Sequence, residues 1–235
     1  MLDGAMGGGE DFDPTTSSRR FPIFVSDICA LDLVPQITNT VRRCAPGVHL
    51  DLQNLACDQV GPALATGRIE FAIGHFPGST DSNRIRLFDD HYVLLLGRKH
   101  PLASQPVRRD GLARLCFVRV GSDFKVEDPL HQFALESNIR LTIPDATMLR
   151  IALAGSDLAA MLPSRMARRL AAGTSFRLIE INPQLSSFPI SIRWKRPAEA
   201  DSGSRWLHAV VRQLSLSNED ATVRRRRPMQ PTHDY

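Results

Sequence analysis

The chain has 235 residues, 43% of them hydrophobic and 23% charged, which fits one large domain or two small ones and excludes a disordered chain. Its net charge of +4 comes from RRRR, Arg224 to Arg227, in a proline-containing polar tail. The rest is nearly neutral, and a short basic run alone is weak support for nucleic-acid binding.

In chain order, Met1 to Arg20 has almost no periodic apolar content and reads as a lead-in. The N-terminus MLDGAMGGGEDFDP is acidic and glycine-rich, the opposite of a signal peptide, and no apolar run approaches the roughly 20 residues that cross a bilayer. The expectation is a cytoplasmic protein. Phe21 to Val25 suits a strand, with Pro22 at its start. A helix follows, with Leu33, Val34, Ile37, Val41 and Cys44 on one face, Pro35 in its first turn and Pro46-Gly47 as its stop. VHLDLQNL alternates as a strand, Asp58 caps a short helix, Gly67 ends it, and IEFAIG is the next strand. This β-α-β-α-β order implies a parallel sheet. RIRLFDDHYVLLLGRKHPLA then reads as a hairpin-like pair, Ile85 to Phe88 and Tyr92 to Leu96, turning at Asp89-Asp90.

After His100-Pro101 the pattern restarts. CFVRV is a strand, Asp128-Pro129 opens a helix through Leu135, and IRLTIP is a strand. Asp145 caps a helix carrying Leu149, Ile151, Ala152 and Leu153. LAAMLP is a strand, Ser164 caps another helix, and FRLIEI and FPISIRWKRP are strands ahead of the closing helix RWLHAVVRQL. The two halves share a plan.

The four cysteines, Cys29, Cys44, Cys57 and Cys116, have no CxxC spacing and read as reduced, mostly buried thiols; the scattered histidines offer no metal site. The motifs GxSxG, GK[ST] after a phosphate loop, and GxGxxG after a strand are absent. No cofactor and no catalytic activity are expected, since no third group orients His75 with Asp27 or Asp58 for acid-base work. What remains is a series of strand ends that stop in small or polar residues before a helix, where parallel sheets bind ligands and helix N-termini attract anions. These are Ser26-Asp27-Ile28, Ala56-Cys57, Gly74-His75-Phe76, Gly121-Ser122 and Asp145-Ala146-Thr147. Ser26, Asp27 and Asp145 can equally be plain helix caps, and His75 a structural hydrogen-bonder.

From about Phe12 to Leu214 the chain resembles the effector-binding region of LysR-type transcriptional regulators. The resemblance is carried by FDPTTSSRRFPIFVSD, LVPQITNTVRRCAPGVHLDL, GRIEFAIG, LFDDHYVLLLGRKHPLA, SDLAAMLPSRMARRLA and FPISIRWKR with RWLHAVV, in that order. It implies an α/β fold like a type II periplasmic binding protein, with two Rossmann-like subdomains hinged by crossover strands at Leu94 to His100 and Pro189 to Arg196. Subdomain I would be 20–99 plus 197–216 and subdomain II 100–196, with a disordered lead-in at 1–19 and a disordered basic tail at 217–235. The family's winged helix-turn-helix is missing before Phe12, so DNA contact is expected only through that missing part.

The resemblance further implies a small effector, aromatic or carboxylate, held between the subdomains by Ser26, Asp27, Ile28, Ala56, Cys57, His75, Phe76, Gly121, Ser122, Ala146 and Thr147. It also implies a homodimer or tetramer, with Pro35, Thr38 and Arg42 of one helix facing Leu149 and Leu153 of another. The alternative is a solute-binding protein of a transport system, which shares the fold plan but needs a signal peptide.

Overall fold

Residues 12–77, 83–98, 100–102, 109–121, 128–181, 186–194 and 201–225 are described by the structure, a computed structural model. Strand β1 (Arg20–Val25) leads into α1 (Asp27–Cys44), β2 (His49–Leu52), α2 (Cys57–Thr66) and β3 (Phe71–Gly74). Strands β2, β1 and β3 lie side by side and parallel, as the βαβαβ order requires. α1 buries Cys29, Leu33, Ile37 and Val41, a run spaced every four residues. It begins immediately after Ser26, so Pro35 lies inside it and not in its first turn. The proline has no N–H for the carbonyl four residues back, a defect the helix tolerates because the apolar stripe on both sides of it stays docked. Cys44 is exposed, as is Cys57; Cys116 is half-buried and only Cys29 is buried, so the expectation of mostly buried thiols fails.

The largest departure is β4 (Arg84–Gly97), one unbroken strand where a hairpin was expected. The Asp89-Asp90 pair is not a turn. Asp90 is buried, and its carboxylate accepts hydrogen bonds from the Ser164 hydroxyl (2.6 Å) and amide (3.2 Å) and the Arg165 amide (3.4 Å). It therefore caps a helix far away in sequence, α6 (Ser164–Ala171). Ser164, expected as that cap, is the first residue of the helix and donates to the true one.

The second half comprises α3 (Arg109–Leu112), β5 (Cys116–Val120), α4 (Pro129–Gln132), β6 (Ile139–Ile143), α5 (Leu149–Leu153), β7 (Leu158–Pro163), α6 and β8 (Phe176–Glu180). α4 opens on Asp128, whose carboxylate accepts from the Leu130 amide at 2.9 Å, but it stops well short of Leu135. β9 (Ser187–Trp194) and α7 (Ser202–Arg225) close the chain. α7 continues past the expected end at Leu214, into the span expected as a disordered tail; Arg226 and Arg227 lie outside the described residues.

The strands run β2-β1-β3-β9-β4-β7-β5-β6, with β8 on the other side of β4. β4 joins two half-sheets. Its residues 84–91 pair antiparallel with β9, with a bulge between Arg86 and Phe88; residues 92–97 pair antiparallel with β7 and β8. The change of partners falls at His91-Tyr92, upstream of the expected crossover at Leu94 to His100. Pro189 to Arg193 of β9 is paired inside the first half-sheet.

One core runs under α1 and α7 and continues across β4 to Phe117, Leu130 and Met161; a second, around Val93, Leu149, Leu153 and Leu162, lies on the other side of the second half. The lead-in is anchored from Phe12 onward, not at Phe21. The Phe12 ring sits 5.9 Å from Phe21 and 5.2 Å from Trp206 of α7, and Arg19 pairs with Glu70 and Asp201. That explains the single acid in IEFAIG: Glu70 also accepts from the Ser204 hydroxyl at 2.6 Å.

Candidate functional site

The carboxyl ends of β1 and β3 meet at the start of α1. The Ser26 amide donates to the Ile73 carbonyl (2.9 Å), and the Ser26 carbonyl accepts from the Cys29 and Ala30 amides (2.8 and 3.0 Å). The amides of Asp27 and Ile28, in the first turn, have no acceptor within the helix. Ser26 occupies the cap position but its side chain makes no capping bond. Its Oγ is buried and has no hydrogen-bond partner among the described residues. A Cβ on Gly74 would lie 2.7 Å from that oxygen, so glycine is required here by close approach.

A cavity of about 50 Å³ opens beside this turn. One wall is Asp27 and Ile28 from the first half; the other is Val118, Arg119 and Val120 of β5, Asp128 to Leu130 of α4, and Met161, Leu162, Pro163 and Met166, with Tyr92 of β4 at the junction. The lining is mostly apolar. Its cation is Arg119, whose guanidinium approaches Asp128 only to 3.5 Å and whose Nε is buried with no partner among the described residues. Asp128 already serves as the α4 cap. Burial pushes the Asp27 carboxyl above the usual carboxylate range, and the nearby charge of Asp145 adds to this.

Of the expected contacts, only Asp27 and Ile28 line this cavity. His75 lies behind it: its Nδ1 is 2.9 Å from the Pro189 carbonyl oxygen, which only accepts, so Nδ1 carries the hydrogen. Burial holds its pKa below the ordinary histidine value, against the raising effect of that hydrogen bond. The ring packs 5.2 Å from Phe188, itself 4.6 Å from Tyr92 on the cavity wall. Phe76 packs under the Arg193 guanidinium at 4.9 Å. Ala56 and Cys57 are exposed at the start of α2, where the Ala56 amide donates to Gln59 Oε1 (3.2 Å). Asp145 caps its own turn through the Thr147 amide (2.8 Å) and hydroxyl, leaving Ala146 buried and Thr147 exposed. Gly121 takes a φ of +76°, and Ser122 lies outside the described residues.

Sequence reading missed Arg119, Tyr92 and the β7 and α6 wall. The available signal was the arginine in CFVRV, a charge inside an otherwise apolar strand. Among the expected dimer residues, Pro35 and Arg42 are exposed and Thr38 is half-buried. Leu149 and Leu153 are fully buried, because the helix turns them into the second core; the outward apolar side chains there are Met148 and Ile151, the latter 79% exposed.

Two α/β half-sheets sharing one long strand define a type II periplasmic-binding-protein-like fold. The chain belongs to the LysR substrate binding domain family, whose model matches residues 15–215. It is 25% identical to the HTH-type transcriptional activator NahR of Pseudomonas putida, over 89% of this chain and 72% of that protein. It is 26% identical to Nodulation protein D 1 of Sinorhizobium fredii, over 87% of this chain and 65% of that protein. The chain thus spans about two thirds of the length of these relatives. The regulatory domain of MexT, a transcriptional activator in Pseudomonas aeruginosa, matches with a TM-score of 0.71 at 22% identity, covering 84% of this chain and 98% of that one. The reduced OxyR regulatory domain from Pseudomonas aeruginosa matches with 0.65 at 16%, covering 84% and 97%. Regulators of this kind are not enzymes. Among the described residues no helix is long and apolar enough to cross a membrane, and no group of His, Cys, Asp and Glu could hold a metal ion.

Proposed function

We propose that this chain is the ligand-sensing and dimerising domain of a LysR-type regulator, and that its effector is a small apolar acid bound between the two halves. The observation that carries this reading is Arg119, a guanidinium whose buried Nε has no partner among the described residues, on the wall of a mostly apolar cavity. An acid offers the missing acceptor, and its body suits Ile28, Val118 and Met161. The α1 N-terminus adds amide donors at the other wall, and the Ser26 hydroxyl lies buried directly behind them, reached when the cavity widens. The first lobe is 12–91 with 187–225 and the second 92–181, split where β4 changes partners. Control of transcription is proposed for the whole protein, by analogy with the named activator NahR. Dimer contact is proposed through Pro35, Thr38 and Arg42 of one copy against Met148 and Ile151 of the other. No observation favours the transport alternative.

Calorimetric titration with a panel of aromatic and aliphatic acids tests the reading. At least one acid should bind, and Arg119→Gln should weaken it about 10-fold or more, the worth of one charge-assisted hydrogen bond. A folded protein that binds none of them, or binds equally well without Arg119, refutes it.

A further inference from the structure

Asp32 is an acid on the inner side of α1, only 8% exposed. Its carboxylate accepts from Arg165 Nη1 at 3.0 Å, Arg169 Nε at 2.9 Å and Gln36 Nε2 at 3.1 Å. The Arg165 guanidinium also lies 3.8 Å over the Phe88 ring of β4. The partners come from different bodies. α1 is docked mainly on the first core through Leu33, Ile37 and Val41, with only Leu31 reaching the second, whereas α6 is docked on the second through Met166, Ala167 and Leu170. Beside the apolar contact of Leu31, the ion pairs are therefore a polar joint between helices seated mainly on different cores.

The joint sits beside the cavity. Ile28, one turn before Asp32 on α1, forms one wall, and Met166, next to Arg165 on α6, forms the other. At about 50 Å³ the cavity holds roughly three or four water-sized groups, fewer than the heavy atoms of a ring bearing a carboxylate. An occupant of that size needs a wider site, and parting Ile28 on α1 from Met166 on α6 widens it. Charge-assisted hydrogen bonds near 3 Å do not survive a separation of about 1 Å.

We propose that Asp32, Arg165 and Arg169 form a latch that holds the halves at the angle seen here, and that the latch opens when the cavity widens. Asp32 is thus a positioning residue. It touches no part of the cavity and acts through the spacing of the two helices. The ligand arm of this proposal rests on the function proposed above; the latch itself does not.

The test is hydrogen exchange on the full, unliganded chain, comparing wild type with Asp32→Asn and with the milder Arg169→Gln, whose side chain is half-exposed and whose loss should not prevent folding. Exchange in peptides covering 27–36 and 164–171 should rise about 10-fold or more in Asp32→Asn, with β1, β3, β5 and β6 unchanged, because only sub-global opening is made easier. Arg169→Gln should show a smaller change in the same peptides, and combining it with Asp32→Asn should add little. A uniform rise across all strands assigns Asp32 to plain stability and overturns the latch; so does no change. In the ligand arm, any panel acid that binds wild type should bind Asp32→Asn about 3-fold or more tightly, since the latch opposes the open state. Weaker binding to Asp32→Asn, in a protein with normal strand protection, also overturns it. If no acid binds either protein, the function above fails while the exchange result still decides the latch.

Discussion

Replacing Ser26 with alanine separates a binding residue from a structural one, because the two roles move stability in opposite directions. The hydroxyl is buried and makes no hydrogen bond among the described residues. Leaving such a group unpaired costs about 1–3 kcal/mol, and alanine removes it without orphaning a partner. Against this stands the loss of one packed atom beside Gly74, about 0.5 kcal/mol by the cavity scale. Ser26→Ala should therefore stabilise the chain by about 1 kcal/mol, a rise in Tm of roughly 2–4 °C for a chain of this length. The same change should weaken binding of an acid effector about 5- to 10-fold, the worth of one hydrogen bond. Urea denaturation and calorimetry read the two quantities independently. Gly74→Ala, which places a methyl 2.7 Å from the Ser26 oxygen and 3.3 Å from Phe76, should cost about 1–3 kcal/mol by overpacking, and less in the Ser26→Ala background. If Ser26→Ala instead destabilises by more than about 1 kcal/mol, the hydroxyl has a structural partner and the argument for a ligand there fails.

Other perturbations test the rest of the site. The Asp27 carboxyl has a raised folded pKa, so its charged form is a liability once pH exceeds the ordinary 3.8; Asp27→Asn should raise Tm at pH 7 and change nothing near pH 3. The sign for His75 is the reverse in pH: its folded pKa lies below 6.5, so the unfolded chain takes up the proton more readily and stability should fall as pH drops below that value. His75→Gln should remove this acid-side slope in denaturation measured from pH 7.5 to 5. Asp90→Ala leaves the start of α6 without its carboxylate and should cost about 2–4 kcal/mol, combining a lost helix cap with unpaired buried donors. A loss under about 1 kcal/mol would mean that water replaces Asp90 there.

The elements of this fold were largely legible from periodicity. The βαβαβ start, the apolar stripe of α1, and strands β5 to β9 follow from local alternation and turn residues, which depend on neighbours in sequence. Family membership was also legible, because order and spacing survive where identity has fallen to about a quarter. The failures share one cause. Asp89-Asp90 looked like a turn because aspartates usually end strands, yet Asp90 serves a helix 74 residues away. Leu149 and Leu153 looked available for a partner because a short helix does not announce which face its own core takes.

Sequence alone determined most of the strands and helices, that the sheet begins parallel, and that the chain has the LysR plan, since these rest on short-range pattern and segment order. Tertiary structure alone decided that β4 is one strand shared by two half-sheets, that Arg119 faces a cavity with its Nε unpartnered among the described residues, and that Asp32 joins helices seated mainly on different cores. Each of these depends on which distant groups come within about 3 Å of one another, and hydrogen bonding at that range leaves no periodic trace in the residues that make it.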